Sequence, residues 1–274
     1  MKLSLAALML IVSASLSAAC GTPSSLCKID RGAYRVALPE TVTPDTPLMV
    51  FLHGYGGSSK GTMGNRRLVA PMLARGWAVV APEGLPRGGD GPRSWTFFPG
   101  WEGRDEAKFL RAVADDAAAQ FGLNRAKTVL SGFSAGGFMV NYLACAEPAS
   151  FAAYAPVAGG FWRPHPTKCA GPVKLLHTHG WVDPTVPLEG RKLRGGAFQQ
   201  GDIFAGLEIW RSANGCSDEK PSSYNQTGPF LRRSWKTCAP DSALEFALWP
   251  GGHTLPDGWA DMVVDWYEAV VEPN

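Results

Sequence analysis

The sequence predicts an α/β fold, a mostly parallel central sheet flanked by helices on both faces. Three observations predict it: apolar runs of strand length alternate with helical patterns, one run ends in G-x-S-x-G, and a helix-like segment follows it directly. The strands are expected at 34–38, 48–52, 78–81, 128–131, 154–157, 173–177 and 244–248. Between them, 105–121 places Phe109, Leu110, Val113, Ala114 and Ala117 at helical spacing, and Gly122 supplies a stop. A further helix is expected after the serine of the motif. Trp259, Met262, Val263, Trp266 and Val270 share one face of a closing amphipathic helix. Segments 83–103 and 195–201, and the region between Cys216 and Cys238, escape this alternation and read as surface loops. In an open parallel sheet, the loops beyond the carboxyl ends of the strands build the ligand site.

The first residues bound the compartment. Lys2, the apolar run 3–12 and the small residues before Cys20 form a secretory signal peptide over 1–19, cleaved after Ala19. The apolar run is too short for a stable membrane span. The expected location is therefore extracellular, with periplasmic retention or a lipid anchor on Cys20 as the competing readings. Residues 20–274 remain as one domain of roughly 255 residues, enough for a substantial core. An oxidising compartment lets disulfides persist, and Cys20, Cys27, Cys145, Cys169, Cys216 and Cys238 are even in number. Pairing of sequence neighbours is one of about 15 possible arrangements, and the sequence does not choose among them. A net charge of +2 without a basic run argues against a nucleic-acid partner.

Gly132-Phe133-Ser134-Ala135-Gly136 nominates Ser134 as a nucleophile. A serine at the tip of a strand-to-helix turn sits in a strained backbone, and small neighbours at Gly132 and Gly136 make room for it. With 32 glycines in the chain the motif alone decides little. A serine hydroxyl also needs a base, usually a histidine oriented by a carboxylate. In a hydrolase of this fold an acid and then a histidine must follow the serine, each after a late strand. Asp183 follows the strand at 173–177, and His253 follows the strand at 244–248. Asp241 and Asp257, the rival acids, follow no strand in the required place. His253 would accept the serine proton and return it to the leaving group, with Asp183 holding its tautomer.

The developing oxyanion needs two donors. The Ala135 N–H is the first. The second is expected from the Gly-rich loop His53-Gly54-Tyr55-Gly56-Gly57, with Tyr55 N–H preferred and Gly54 or Gly56 as alternatives. His53 reads as a residue that orients this loop, and the loop lacks the lysine and hydroxyl residue of a P-loop. His177 and His179 alternate on one strand face and invite a metal reading, but the ligand set is incomplete and no metal is expected. Ten tryptophans are more than the core requires, and several lie in Gly/Pro-rich stretches. Trp95, Trp101 and Trp181 are therefore candidate substrate contacts, against the plainer reading of core packing.

Leu52-His53-Gly54, Gly132-Phe133-Ser134-Ala135-Gly136-Gly137, His179-Gly180-x-x-Asp183-x-x-Val186-Pro187 and Gly251-Gly252-His253-Thr254 occur in that order. With Asn214-Gly215-Cys216 before a later cysteine, the chain resembles the secreted polyhydroxybutyrate-depolymerase-like esterases, relatives of feruloyl and acetylxylan esterases. The resemblance implies an α/β-hydrolase fold, cofactor-free hydrolysis of carboxylic esters, and Ser134, Asp183 and His253 as the triad. Plant-wall phenolic or acetyl esters, or hydroxyalkanoate esters, are the substrates it implies, polymeric ones included. Tyr55 and Leu255 depart from the pattern, standing where many relatives carry cysteine and tryptophan beside the acyl site, so Leu255 joins the candidate substrate contacts. Two other functions fit the same order of residues: a prolyl-oligopeptidase-type serine peptidase, and a catalytically silent carbohydrate-binding protein on the same fold.

Overall fold

Strands covered on both faces need continuous apolar runs, and the chain supplies them at the centre of a ten-stranded sheet. The computed structural model describes residues 20–271, so the expected signal peptide at 1–19 lies outside the described residues. In chain order the strands are β1 (Cys27–Ile29), β2 (Gly32–Ala37), β3 (Leu48–Leu52), β4 (Ala78–Pro82), β5 (Leu85–Pro86), β6 (Arg93–Ser94) and β7 (Thr128–Phe133). There follow β8 (Ala153–Val157), β9 (Lys174–Gly180), β10 (Lys192–Leu193), β11 (Phe198–Gln199), β12 (Ser223–Thr227), β13 (Phe230–Trp235) and β14 (Ala243–Trp249). The helices are α1 (Ser59–Met63), α2 (Val69–Ala74), α3 (Glu106–Phe121), α4 (Ala135–Ala146), α5 (Ile203–Ala213) and α6 (Trp259–Val271).

The large sheet runs β1-β2-β4-β3-β7-β8-β9-β14-β13-β12. From β4 to β14 neighbouring strands are parallel, whereas β1, β2, β13 and β12 add antiparallel edges. Growth of the sheet changes direction between β3 and β7. The loops leaving these two strands therefore flank the crevice where ligands settle in open α/β sheets.

Alternation along each central strand feeds two cores. Leu48, Val50, Leu52 and Leu130 pack on the side of α3, α4 and α5, with Phe109, Val113, Phe138, Leu207 and Trp210. Met49, Phe51 and Val129 face the opposite side, where Met72, Trp259, Met262, Val263 and Trp266 cover them from α2 and α6. Helix α3 starts where the Asp105 carboxylate accepts from Lys108 N–H, and it ends at Gly122 in the left-handed region. The three disulfides join sequence neighbours: Cys20–Cys27, Cys145–Cys169 and Cys216–Cys238.

All seven expected strands and all three expected helices are present, and the segments expected as loops need correction. Segment 83–103 holds the β5–β6 hairpin and buries Trp95 and Phe97. Segment 195–201 overlaps the β10–β11 hairpin. The stretch between Cys216 and Cys238 contains β12 and β13, which extend the main sheet at its edge. Their sequences, Ser-Tyr-Asn-Gln-Thr and Phe-Leu-Arg-Arg-Ser-Trp, are largely polar because an edge hairpin has little core to cover, so hydropathy gives almost no strand signal.

Candidate active site

Ser134 stands between β7 and α4 with φ 56° and ψ −115°, a conformation that a non-glycine residue rarely adopts. Its backbone is held from both directions, because its N–H donates to the Val157 carbonyl and its carbonyl accepts from Phe138 N–H, each at 2.9 Å. The turn leaves no room for side chains around it. A Cβ on Gly132 would lie 2.6 Å from the Gly136 carbonyl carbon, and one on Gly136 would lie 2.3 Å from the Leu52 oxygen. The half-buried Ser134 hydroxyl makes no hydrogen bond among the described residues.

Asp183 and His253 are brought together from the loops after β9 and β14. These loops touch backbone to backbone: Trp181 N–H donates to the Trp249 carbonyl and Val182 N–H to the Gly251 carbonyl. The contact requires glycine at 180, since a Cβ there would sit 2.4 Å from the Gly251 oxygen. His253 Nδ1 donates to Asp183 Oδ2 at 2.7 Å. Asp183 Oδ1 accepts from Thr185 and Val186 N–H, each at 2.9 Å. Burial pushes the Asp183 pKa up, but the hydrogen bond from His253, the Val186 N–H, the nearby imidazole charge and the Thr185 N–H together bring it below the ordinary aspartate value. The carboxylate therefore stays ionised at neutral pH and fixes the imidazole proton on Nδ1, leaving Nε2 able to accept. The imidazole also lies against Phe133, the residue before Ser134, with ring centroids 4.6 Å apart.

Beneath this pair, His177 Nε2 donates to His179 Nδ1 at 3.1 Å, and His179 Nε2 donates to the Val186 carbonyl at 2.7 Å. Burial depresses both imidazoles, His177 furthest. The two neutral rings brace the Asp183 loop through Val186. Of the rival acids, Asp257 is exposed and ion-paired with Arg67, and Asp241 lies in a turn with φ 57°.

The loop after β3 faces the same crevice. Gly56 N–H is already committed to the Arg93 carbonyl at 2.8 Å, whereas Tyr55 N–H has no partner among the described residues. His53 holds the loop from below. Its Nδ1 donates to the Gly54 carbonyl at 2.8 Å and its Nε2 accepts from Gly84 N–H at 3.0 Å, an acceptance only the neutral ring can make; burial lowers the imidazole pKa against the opposing pull of the Gly54 hydrogen bond. Arg104 and Glu106 form a buried ion pair behind it, and Glu106 also accepts from Thr96 N–H, tying segment 83–103 to α3.

Ser134, Ala135 and Tyr55 open onto a cavity of about 480 Å³ with an aromatic wall of Phe97, Trp101, Phe138, Trp162 and Phe198. Of the four apolar candidates for substrate contact, only Trp101 lines it. Trp95 is wholly buried, its Nε1 donating to the His53 carbonyl at 2.8 Å, so it supports the loop rather than the cavity. Trp181 is exposed at the rim of the Asp183 loop and lies outside the cavity. Leu255 packs into the α6 core and borders a smaller cleft of about 230 Å³ with His53, Gly54, Phe133 and His253. Phe97, Phe138, Trp162 and Phe198 escaped sequence reasoning. Position offered one signal: Gly159-Gly160-Phe161-Trp162 leaves the carboxyl end of β8, beside the serine.

A model of the phospholipase/carboxylesterase family matches residues 35–200, more than half of the chain and a span that contains both Ser134 and Asp183. The chain belongs to this family. Its members are ester hydrolases of the α/β-hydrolase fold, and the other comparisons agree. Feruloyl esterase C of Emericella nidulans is 27% identical over 252 residues, covering 86% of this chain and 83% of its own. Poly(3-hydroxyalkanoate) depolymerase C of Paucimonas lemoignei is 28% identical over 204 residues, 69% of this chain and 45% of its own. The bifunctional acetylxylan esterase/xylanase of Neocallimastix patriciarum is 29% identical, and the match spans 22% of its length. Among solved structures, an acetyl xylan esterase from Aspergillus awamori superposes with a TM-score of 0.63 at 15% identity, covering 90% of this carboxylesterase-family chain and 95% of its own. That likeness shows the fold.

Proposed function

We propose that the protein is a secreted serine esterase acting through Ser134, His253 and Asp183. The observation that carries this reading is the 2.7 Å bond from His253 to an ionised, buried Asp183, on loops that meet beside a serine in a strained elbow. His253 Nε2 takes the proton of Ser134 Oγ as the oxygen attacks the ester carbonyl. The oxyanion receives hydrogen bonds from Ala135 N–H, at the start of α4, and from Tyr55 N–H; each such donor is typically worth about 10²–10³ in rate. His253 then protonates the departing alcohol, leaving an acyl-serine. Water, activated by the same imidazole, releases the acid. The unclosed Ser134–His253 contact fits a resting site whose hydrogen bonds tighten around substrate.

The aromatic wall supports an acyl or alcohol group with a flat apolar part, as in phenolic wall esters. The depolymerase relative supports hydroxyalkanoate esters as a second class. The three disulfides support export, and with it residues 20–274 as one catalytic domain behind a signal peptide. Mature protein should hydrolyse p-nitrophenyl butyrate, and Ser134→Ala should abolish both this activity and labelling by a fluorophosphonate probe. Full activity in Ser134→Ala would reject the proposal. Methyl ferulate, acetylated xylan and polyhydroxybutyrate compared with one enzyme preparation would rank the substrate classes, and peptide amides would test the peptidase alternative.

A further inference from the structure

The cavity above Ser134 is charged on one side of the ledger only. Arg87, Arg191 and Arg194 line it together with the aromatic wall, and no carboxylate does. The chain as a whole is nearly balanced, with 26 basic and 24 acidic residues, so three cations around one cavity are a local excess. None of the three is within ion-pair distance of a carboxylate among the described residues, although nine other arginines are so paired.

Their placement comes from the two hairpins that overhang the site. Arg87 lies on the β5–β6 hairpin with its guanidinium 4.0 Å from the centroid of Trp101. Arg194 lies between β10 and β11 with its guanidinium 5.9 Å from the centroid of Phe198. Trp101 and Phe198 meet edge to face at 5.8 Å, so an aromatic pair bridges the hairpins with a guanidinium over each ring. Stacking orients a guanidinium with its donors at the edge of the stack, where an anion can reach them. Arg87 gives Nη1 to the Trp95 carbonyl at 3.5 Å and keeps its remaining donors for an anion. Arg191 is fixed by its Nε, which donates to the Thr185 carbonyl at 2.7 Å two residues beyond Asp183, and its terminal nitrogens have no partner among the described residues.

We infer that Arg87, Arg191 and Arg194 form a carboxylate-recognition site, and that the preferred substrates are esters carrying a free carboxylate beside the scissile bond. The inference rests on the esterase reading. A cleft lined by one sign of charge raises the local concentration of the opposite ion, typically by about 10–10³-fold, and planar guanidinium forks suit carboxylate oxygens. The aromatic wall would hold the apolar part of the substrate while the arginines at the rim hold its charge.

The test uses two matched pairs of esters: p-nitrophenyl butyrate against mono-p-nitrophenyl glutarate, with the carboxylate on the acyl side, and 4-acetoxybenzamide against 4-acetoxybenzoate, with it on the alcohol side. In low salt the wild type should favour the charged member of at least one pair by about tenfold or more in kcat/KM, through KM, and the pair showing it locates the carboxylate. About 0.5 M sodium chloride should shrink the preference. Arg87→Gln and Arg194→Gln should each reduce it about threefold, and the triple Gln variant should bring it near unity. The ratio is internal to each variant, so a lower folded fraction cancels. Equal turnover of charged and neutral esters in both pairs, or a preference that survives in the triple variant, overturns the inference while leaving the esterase reading standing. Failure to hydrolyse any of the four overturns both.

Discussion

Asp183→Asn isolates the orienting role of the acid, because the amide can keep every contact except the one that matters. Its oxygen can still accept from Thr185 and Val186 N–H, which now share Oδ1 at 2.9 Å. Its NH₂ group then faces His253 Nδ1, where a carboxylate oxygen accepts at 2.7 Å. A donor there forces the imidazole to accept on Nδ1 and carry its proton on Nε2. In that tautomer His253 cannot take the serine proton. The same replacement in a serine-protease triad costs about 10⁴ in kcat, or ~5.5 kcal/mol at 1.36 kcal/mol per tenfold. We expect a similar loss here, in kcat more than in KM, on p-nitrophenyl butyrate at neutral pH.

The pH dependence of stability checks the same residue independently. The folded Asp183 pKa lies below its ordinary value, so its ionised form stabilises the fold above the ordinary aspartate range. That contribution is lost as pH falls through the depressed folded value. Thermal melts of the wild type should therefore drop more steeply with acidification over that interval than melts of Asp183→Asn. Asp257→Asn, which touches only a surface ion pair with Arg67, serves as the control and should keep its activity within about twofold. A loss below tenfold in Asp183→Asn, or an equal loss in Asp257→Asn, would refute the assignment of the acid.

Gly136→Ala places a methyl 2.3 Å from the Leu52 oxygen, a backbone atom that cannot swing aside, so about 3 kcal/mol of destabilisation is expected in denaturant melts. Unchanged stability would mean that the elbow yields to a methyl group and is not close-packed against Leu52. Trp95→Phe removes the only donor to the His53 carbonyl among the described residues, a buried bond of 2.8 Å. The expected cost is about 2 kcal/mol, read calorimetrically as a Tm lower by roughly 4–8 °C. If Trp95 instead touched substrate, KM would change with little loss of stability. Replacing Cys216 and Cys238 together by serine opens a loop with a sequence separation of 22, for which the chain-entropy estimate is about 3 kcal/mol; urea melts should report it as a lower midpoint, with an m-value that rises as the unfolded chain expands.

What the sequence revealed and what it hid divide along a physical line. Order along the chain was legible, because a parallel sheet delivers its catalytic loops at one edge and Asp183 and His253 each follow a strand whose apolar run is continuous. Helix α5 was legible too and was missed: Ile203, Gly206, Leu207 and Trp210 are its buried face at i, i+3, i+4 and i+7, behind an Asp202 cap. The direction in which an aromatic residue points was not legible. Trp95 and Trp101 lie in one Gly/Pro-rich stretch, yet a buried acceptor at His53 draws Trp95 inward, while Trp101 packs against Phe97, Trp162 and Phe198 across the cavity. Composition cannot tell these fates apart, since they depend on a partner more than 40 residues away in one case and on two other segments of the chain in the other. The same holds for the arginines. Arg87 and Arg194 are far apart in sequence, and aromatic contacts such as that of Trp101 with Phe198 bring the segments that carry them together. The proposed triad thus follows from strand order, whereas what surrounds it follows from loop-to-loop packing, and on the proposed reading it is the packing that would choose among esters.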